Sequence, residues 1–183
     1  MNRLRWILPS LALAALTATG CIILSGQIFA HYDLPDPFTI DSSSNILHRE
    51  LVDLNTVSEY KDNKDKLKGL SDVAVVGKFT NLAGSAGAVE VWITKDPTAF
   101  TTVAQVMAGA TKLWGPASIG AAVASHNINW DESSKLFTSD GKKMLIDEVK
   151  GDGVFTIYVF GTAGTYLIKV DHGAILLVID AGK

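Results

Sequence analysis

One cysteine is all that this chain of 183 residues contains, and it lies at position 21, inside an apolar N-terminal stretch. A single thiol builds no internal disulfide framework, and zinc or haem sites made of cysteines are excluded with it. Basic clusters are missing too. Lys and Arg number 16 against 19 Asp and Glu, for a net charge of -3 and a pI near 5.7. The first thirty residues hold Arg3 and Arg5 and no acid, so the remainder is acidic, at about -5. Nucleic-acid phosphates demand a Lys/Arg face, which argues against a nucleic-acid partner. With 48% hydrophobic residues the chain is too apolar for disorder, and it is long enough for one domain with a real core.

Catalytic signatures are also lacking. There is no G-x-S-x-G elbow, no H-E-x-x-H and no C-x-x-C-H. Of the four histidines, His31 and His172 have no second ligand at strand or helix spacing. His48 and Glu50 would share a strand face, but a pair falls short of the three or four ligands a metal needs. His126 with Asp131 is no better placed. Asp131-Glu132 and Asp147-Glu148 are sequence neighbours, whereas a glycosidase needs carboxylates facing one another across a cleft. The pattern implies no metal, no cofactor and no catalytic residue.

The N-terminus carries the strongest positive signal. Asn2-Arg3-Leu4-Arg5 is a short positive region, Trp6 to Leu16 an apolar one, and Thr17-Ala18-Thr19-Gly20 a run of small residues before Cys21. Positive charge ahead of an apolar run sends the downstream chain across the membrane. The run Ala18-Thr19-Gly20-Cys21 resembles the lipobox of bacterial membrane lipoproteins. That resemblance implies lipid on the Cys21 thiol, cleavage before it and acylation of the new terminus. Lipidation would also explain a lone cysteine in an exported chain. Two other readings stay open: residues 6 to 30 as one uncleaved transmembrane anchor, and cleavage after Ala30 to release a soluble protein. All three put the domain outside the cytoplasm, and the first anchors it at a bilayer of the cell envelope.

Further along, the two prolines and two acids of His31–Pro37 read as an extended tether. The divisions implied are a signal peptide over 1–20, a lipidated terminus and tether over 21–37, and a single domain over 38–183. Residues 46–54 lean towards a strand. Thr56-Val57-Ser58-Glu59 has capping-box spacing, predicting a charged helix to about Leu67. Strands are predicted over 73–80 and 89–94, joined by the glycine-rich hairpin loop 81–87, and a short one over 126–130. Asp96-Pro97 predicts the start of an apolar helix, carrying Phe100, Met107 and Trp114 into the core and stopping at Gly115-Pro116. A helical turn over 131–137 and a helix over 140–149 come next. Three β-rich runs, 154–160, 165–170 and 174–180, separated by Gly161-Thr162-Ala163-Gly164 and Asp171-His172-Gly173, have the signature of an antiparallel meander.

These elements predict a mainly β fold, an antiparallel β-sandwich-like domain with a few short α-helices. The stretch from Val52-Asp53-Leu54 through Gly77-Lys78-Phe79-Thr80-Asn81 also looks similar to parts of uncharacterised bacterial lipoproteins with β-rich domains, a likeness that implies no chemistry. Trp92, on the outer face of its strand, is a possible ligand or partner contact, set against the plainer expectation of core packing. The function expected is non-catalytic binding or scaffolding at the envelope, with the membrane and a protein as partners. Alternatives are a carrier of a hydrophobic ligand, its pocket covered by the helix from Pro97 to Trp114, and a hydrolase whose site is assembled from distant residues.

Overall fold

A computed structural model describes residues 26–35, 37–42, 47–95 and 100–182. Residues 1–25, which hold the expected export signal and Cys21, lie outside these, as does Asp96-Pro97. Among the described residues, nine strands form two antiparallel sheets. The first sheet runs β1 (Gln27–Asp33), β9 (Tyr166–Ala181), β4 (Leu67–Gly84), β7 (Ser125–Ile128), with β2 (Phe38–Asp41) following β1 along the same edge of β9. The second runs β3 (His48–Asp53), β8 (Val154–Ala163), β5 (Gly87–Thr94), β6 (Thr111–Ile119). The short α-helices among the described residues are α1 (Ser58–Lys61), α2 (Val103–Gly109), α3 (Trp130–Ser133) and α4 (Ser139–Lys150). This is the sandwich-like, mainly β architecture with short helices that the alternating pattern predicts.

Side-chain alternation builds the core. Val89, Val91 and Ile93 of β5 meet Ile175, Leu177 and Ile179 of β9 in one cluster with Trp114, Phe79 and Phe155. The strand-to-strand connections differ from the expected hairpins. The 81–87 loop joins strands of different sheets, and so does the 161–164 loop, so neither is a hairpin within one ladder. The two corners pack side by side: Ser85 N donates to Thr165 O at 2.7 Å, and Thr165 N to Ser85 Oγ at 3.0 Å. Gly84, with φ +96, permits this, because a Cβ there would lie 1.9 Å from Thr165 O.

No meander forms at the C-terminus either. Asp171-His172-Gly173 lies inside one 16-residue strand, β9, because His172 at φ +53 makes an irregularity rather than a turn. Where β4 steps from Val76 to Lys78, β9 steps from Ala174 to Asp171. The extra residue switches the inward set from Tyr166, Ile168 and Val170 to Ile175, Leu177 and Ile179.

Three further expectations are corrected. The stretch His31–Pro37 is not all tether, because its start belongs to a strand formed by residues 27–33. They pair with Ala174–Asp180, and Ile28 and Ala30 are buried, because apolar alternation outweighs the nearby prolines. The Thr56–Glu59 capping box does not form: Thr56 Oγ1 donates to Asp53 O, Glu59 accepts from Ser58, and the segment breaks into short turns before β4 begins at Leu67. The apolar helix is only α2, capped by Thr102 and Gln105. Thr111 onwards is strand, since pairing with β5 buries Leu113, Trp114, Ala117 and Ile119. Met107, expected in the core, is 56% exposed.

Candidate functional site

Three places bring chemistry-bearing side chains together. The first is on the outer face of the second sheet. Alternation along β5 sends Glu90, Trp92 and Thr94 away from the main core, and Val106 of α2 with Phe100 packs over Trp92. Trp92 packs with Val106, Tyr158 and Phe160 in a second buried cluster, and its ring stacks near Phe160 at 6.0 Å. Trp92 is only 9% exposed, so the outer-face contact envisaged for it gives way to core packing. Its Nε1 donates to Glu90 Oε2 at 2.9 Å, while Lys112 Nζ reaches Glu90 Oε1 at 2.7 Å and lies 5.5 Å from the indole centroid. Both carboxylate oxygens are thereby engaged. The arrangement ties β5 to β6, and Trp92, Tyr158 and Phe160 pack against Val106 of α2 on the face where a carrier's pocket was expected.

A second cluster closes the open side of the sandwich, where β2 and β3 are edge strands of opposite sheets. Phe38 of β2 stacks on His48 of β3 at 3.9 Å and 15°. His48 and Glu50 do share a face, but His48 Nε2 is 4.0 Å from Glu50 Oε2, too far for a hydrogen bond, and that nitrogen has no hydrogen-bond partner. Tyr32 OH, from β1, lies 3.3 Å from Glu50 Oε1 and 3.2 Å from Leu51 O. Burial lowers the His48 pKa from its ordinary value. Burial first, and then the Glu50 charge, raises that of Tyr32. An imidazole, a carboxylate and a phenol in this order suit a structural tie across two sheets. Tyr32 comes from the segment read as tether, so sequence spacing alone could not add it to the pair.

His126 of β7 bonds Glu132 at 2.8 Å, not Asp131. Asp147 pairs with Lys143 at 2.9 Å on an exposed helix face, while its neighbour Glu148 is buried. Among the described residues no group of three or more His, Cys, Asp or Glu could hold a metal ion.

The third place is a groove of about 550 Å³ at the end of the sandwich where the described chain starts. Gly26, Ile28, Ala181 and Gly182 line one side, and Asn63, Asp65 and Lys66 the other. Its lining is mostly apolar. Cys21 lies outside the described residues, close in sequence to this groove.

No family model matches the chain, and no curated protein matches it. A solved chain of Desmodium yellow mottle tymovirus aligns over 100% of this chain and 98% of its own at 14% identity, with a TM-score of 0.24. An overlap that slight carries no argument.

Proposed function

We propose that this protein is a lipid-anchored extracytoplasmic component of a bacterial cell envelope, whose domain works by binding or scaffolding rather than by catalysis. The observation that carries the reading is the Arg3/Arg5, apolar, small-residue, Cys21 series, placed directly ahead of a strand that is already part of the fold. A lipid at Cys21 would leave the whole sandwich on the far side of the bilayer. Two or three acyl chains, at about 0.8 kcal/mol per buried CH₂, hold a protein of this size on a membrane firmly. The Glu90 carboxylate, with both oxygens engaged by Trp92 and Lys112, favours a rigid binding module over a site awaiting substrate.

A second reading, a carrier of a hydrophobic ligand, draws support from the groove beside Gly26 rather than from the face of α2, where Trp92, Tyr158 and Phe160 pack against Val106. Cys21→Ser with membrane fractionation tests the leading reading. The expected result is release from membranes or accumulation of the uncut precursor. Normal processing with full membrane retention would overturn it. Co-extraction of a stoichiometric apolar molecule with the native protein, and its loss from an Ile28→Asp variant, would favour the carrier.

A further inference from the structure

Attachment at Cys21, on which this inference rests, also constrains orientation. Ala181 N donates to Gly26 O at 2.6 Å and Gln27 pairs with Asp180, so the chain belongs to the first sheet from Gly26 onwards. Only Ile22–Ser25 separate that point from Cys21. An extended chain advances at most about 3.6 Å per residue, so the link spans no more than roughly 18 Å. The headgroup layer itself takes up about 5–8 Å of that reach. The remaining length is shorter than a domain's diameter, so the Gly26 end cannot leave the surface while the lipid stays inserted.

The surface at that end fits such a position. Lys66 and Lys68 are exposed there with Asp65, a mixed-sign edge that neither repels nor requires anionic lipid. Two residues beyond Gln27, Phe29 is 50% exposed, with its ring 6.2 Å from that of Trp130. Trp130 Nε1 donates to Asp72 at 2.8 Å, giving an apolar body with its polar tip engaged. Phe29 lies opposite Val178 and His31 opposite Leu176, and both aliphatic side chains are incompletely buried on the same outer face. Aromatic side chains of this kind concentrate where bilayer meets water.

We infer that the domain rests on the lipid bilayer through its Gly26 end and the Phe29–Trp130 shoulder of the first sheet, which leaves the Gly84–Gly164 corner as the distal, partner-accessible end. At that far end Val123 is 80% exposed and Leu82 44%. The β4–β9 ladder separates the two ends, with Leu67 paired to Ala181 at one and Gly84 to Tyr166 at the other.

Lipidation consumes the sole thiol, so an introduced cysteine is uniquely reactive. Full-length Lys66→Cys and Val123→Cys proteins, purified from membranes, would carry a fluorophore and be reconstituted into phosphatidylcholine/phosphatidylglycerol vesicles with headgroup nitroxides. Both positions are exposed, so neither change disturbs packing. The expected result is severalfold stronger lipid quenching at position 66 than at 123, and the reverse order with aqueous iodide. Equal or inverted quenching in protein that is acylated at Cys21 overturns the orientation while leaving the anchor intact. A free Cys21 thiol in the purified protein overturns the anchor reading and the orientation with it. Self-association on the Phe29 face, seen as energy transfer between labelled copies with no quenching at position 66, would overturn the orientation and assign that face to a second copy.

Discussion

Deleting everything before Asp36 separates a tether from a strand. A tether could be removed at no cost. In the structure the deletion takes away β1, which buries Ile28 to 2%, Ala30 to 1% and, just beyond its end, Leu34 to 6% exposure. Two large aliphatic side chains at about 1.5–3 kcal/mol each give roughly 3–6 kcal/mol before any hydrogen bond is considered. The seven register pairs between Gln27–Asp33 and Ala174–Asp180 would also be lost. Domains have only about 5–15 kcal/mol to lose, so this is a large share. With a urea slope of about 2 kcal/mol per molar, the midpoint should fall by roughly 2 M. The bared edge of β9, which carries Ile175 and Ile179, should also promote association. Urea unfolding by tryptophan fluorescence, with sedimentation velocity, compares a chain starting at Gly26 with one starting at Asp36. Equal midpoints and two monomers would refute the assignment of β1 to the fold.

Other expectations rest on single side chains. Gly141→Ala would ordinarily strengthen a helix by up to about 1 kcal/mol. Here the new Cβ falls 2.5 Å from Leu113 Cα and from Lys112 O, so the net effect should be a loss of about 1–3 kcal/mol, read as a lower melting temperature. Glu90→Ala strands the Trp92 Nε1 donor and the Lys112 ammonium. It should cost about 2 kcal/mol, with Lys112 partly relieved by solvent, and Glu90→Gln should cost less. His48 titrates below its ordinary value in the fold, so the unfolded chain takes up its proton first as pH falls. Its contribution is therefore present above about 6.5 and is lost as pH drops through the lowered folded value. Stability measured from pH 7.5 to 5 should decline less in His48→Gln than in the parent, and identical slopes would contradict the assignment.

Individual strands are legible from period-two alternation, as at β5 and β8, and α4 from its capped, charged pattern. Their partners are not. Glycine-rich loops at 84–87 and 161–164 have the composition of hairpins, yet composition does not tell a turn within one sheet from a corner between two. His172 and Gly173 look like a turn for the same reason, although a single left-handed residue absorbed in a long ladder serves equally well. Thr111–Trp114 keeps helical spacing and is lost to pairing with β5, an instance of tertiary contact outweighing local preference. The shared face of His48 and Glu50 is readable from alternation alone. Tyr32 and Phe38 are not readable as its neighbours, because two prolines hide the edge strands that bring them there. Trp92 is readable as outward-facing on β5, but not as covered, since α2's position over that face depends on the chain returning across it.

The most direct measurement is the intact mass of the protein extracted from membranes, with fragmentation of its N-terminal peptide. The account predicts a chain that begins at Cys21 and carries acyl chains on its sulfur and its amino group. A mass matching unmodified Cys21 in a chain that still starts at Met1 would contradict it.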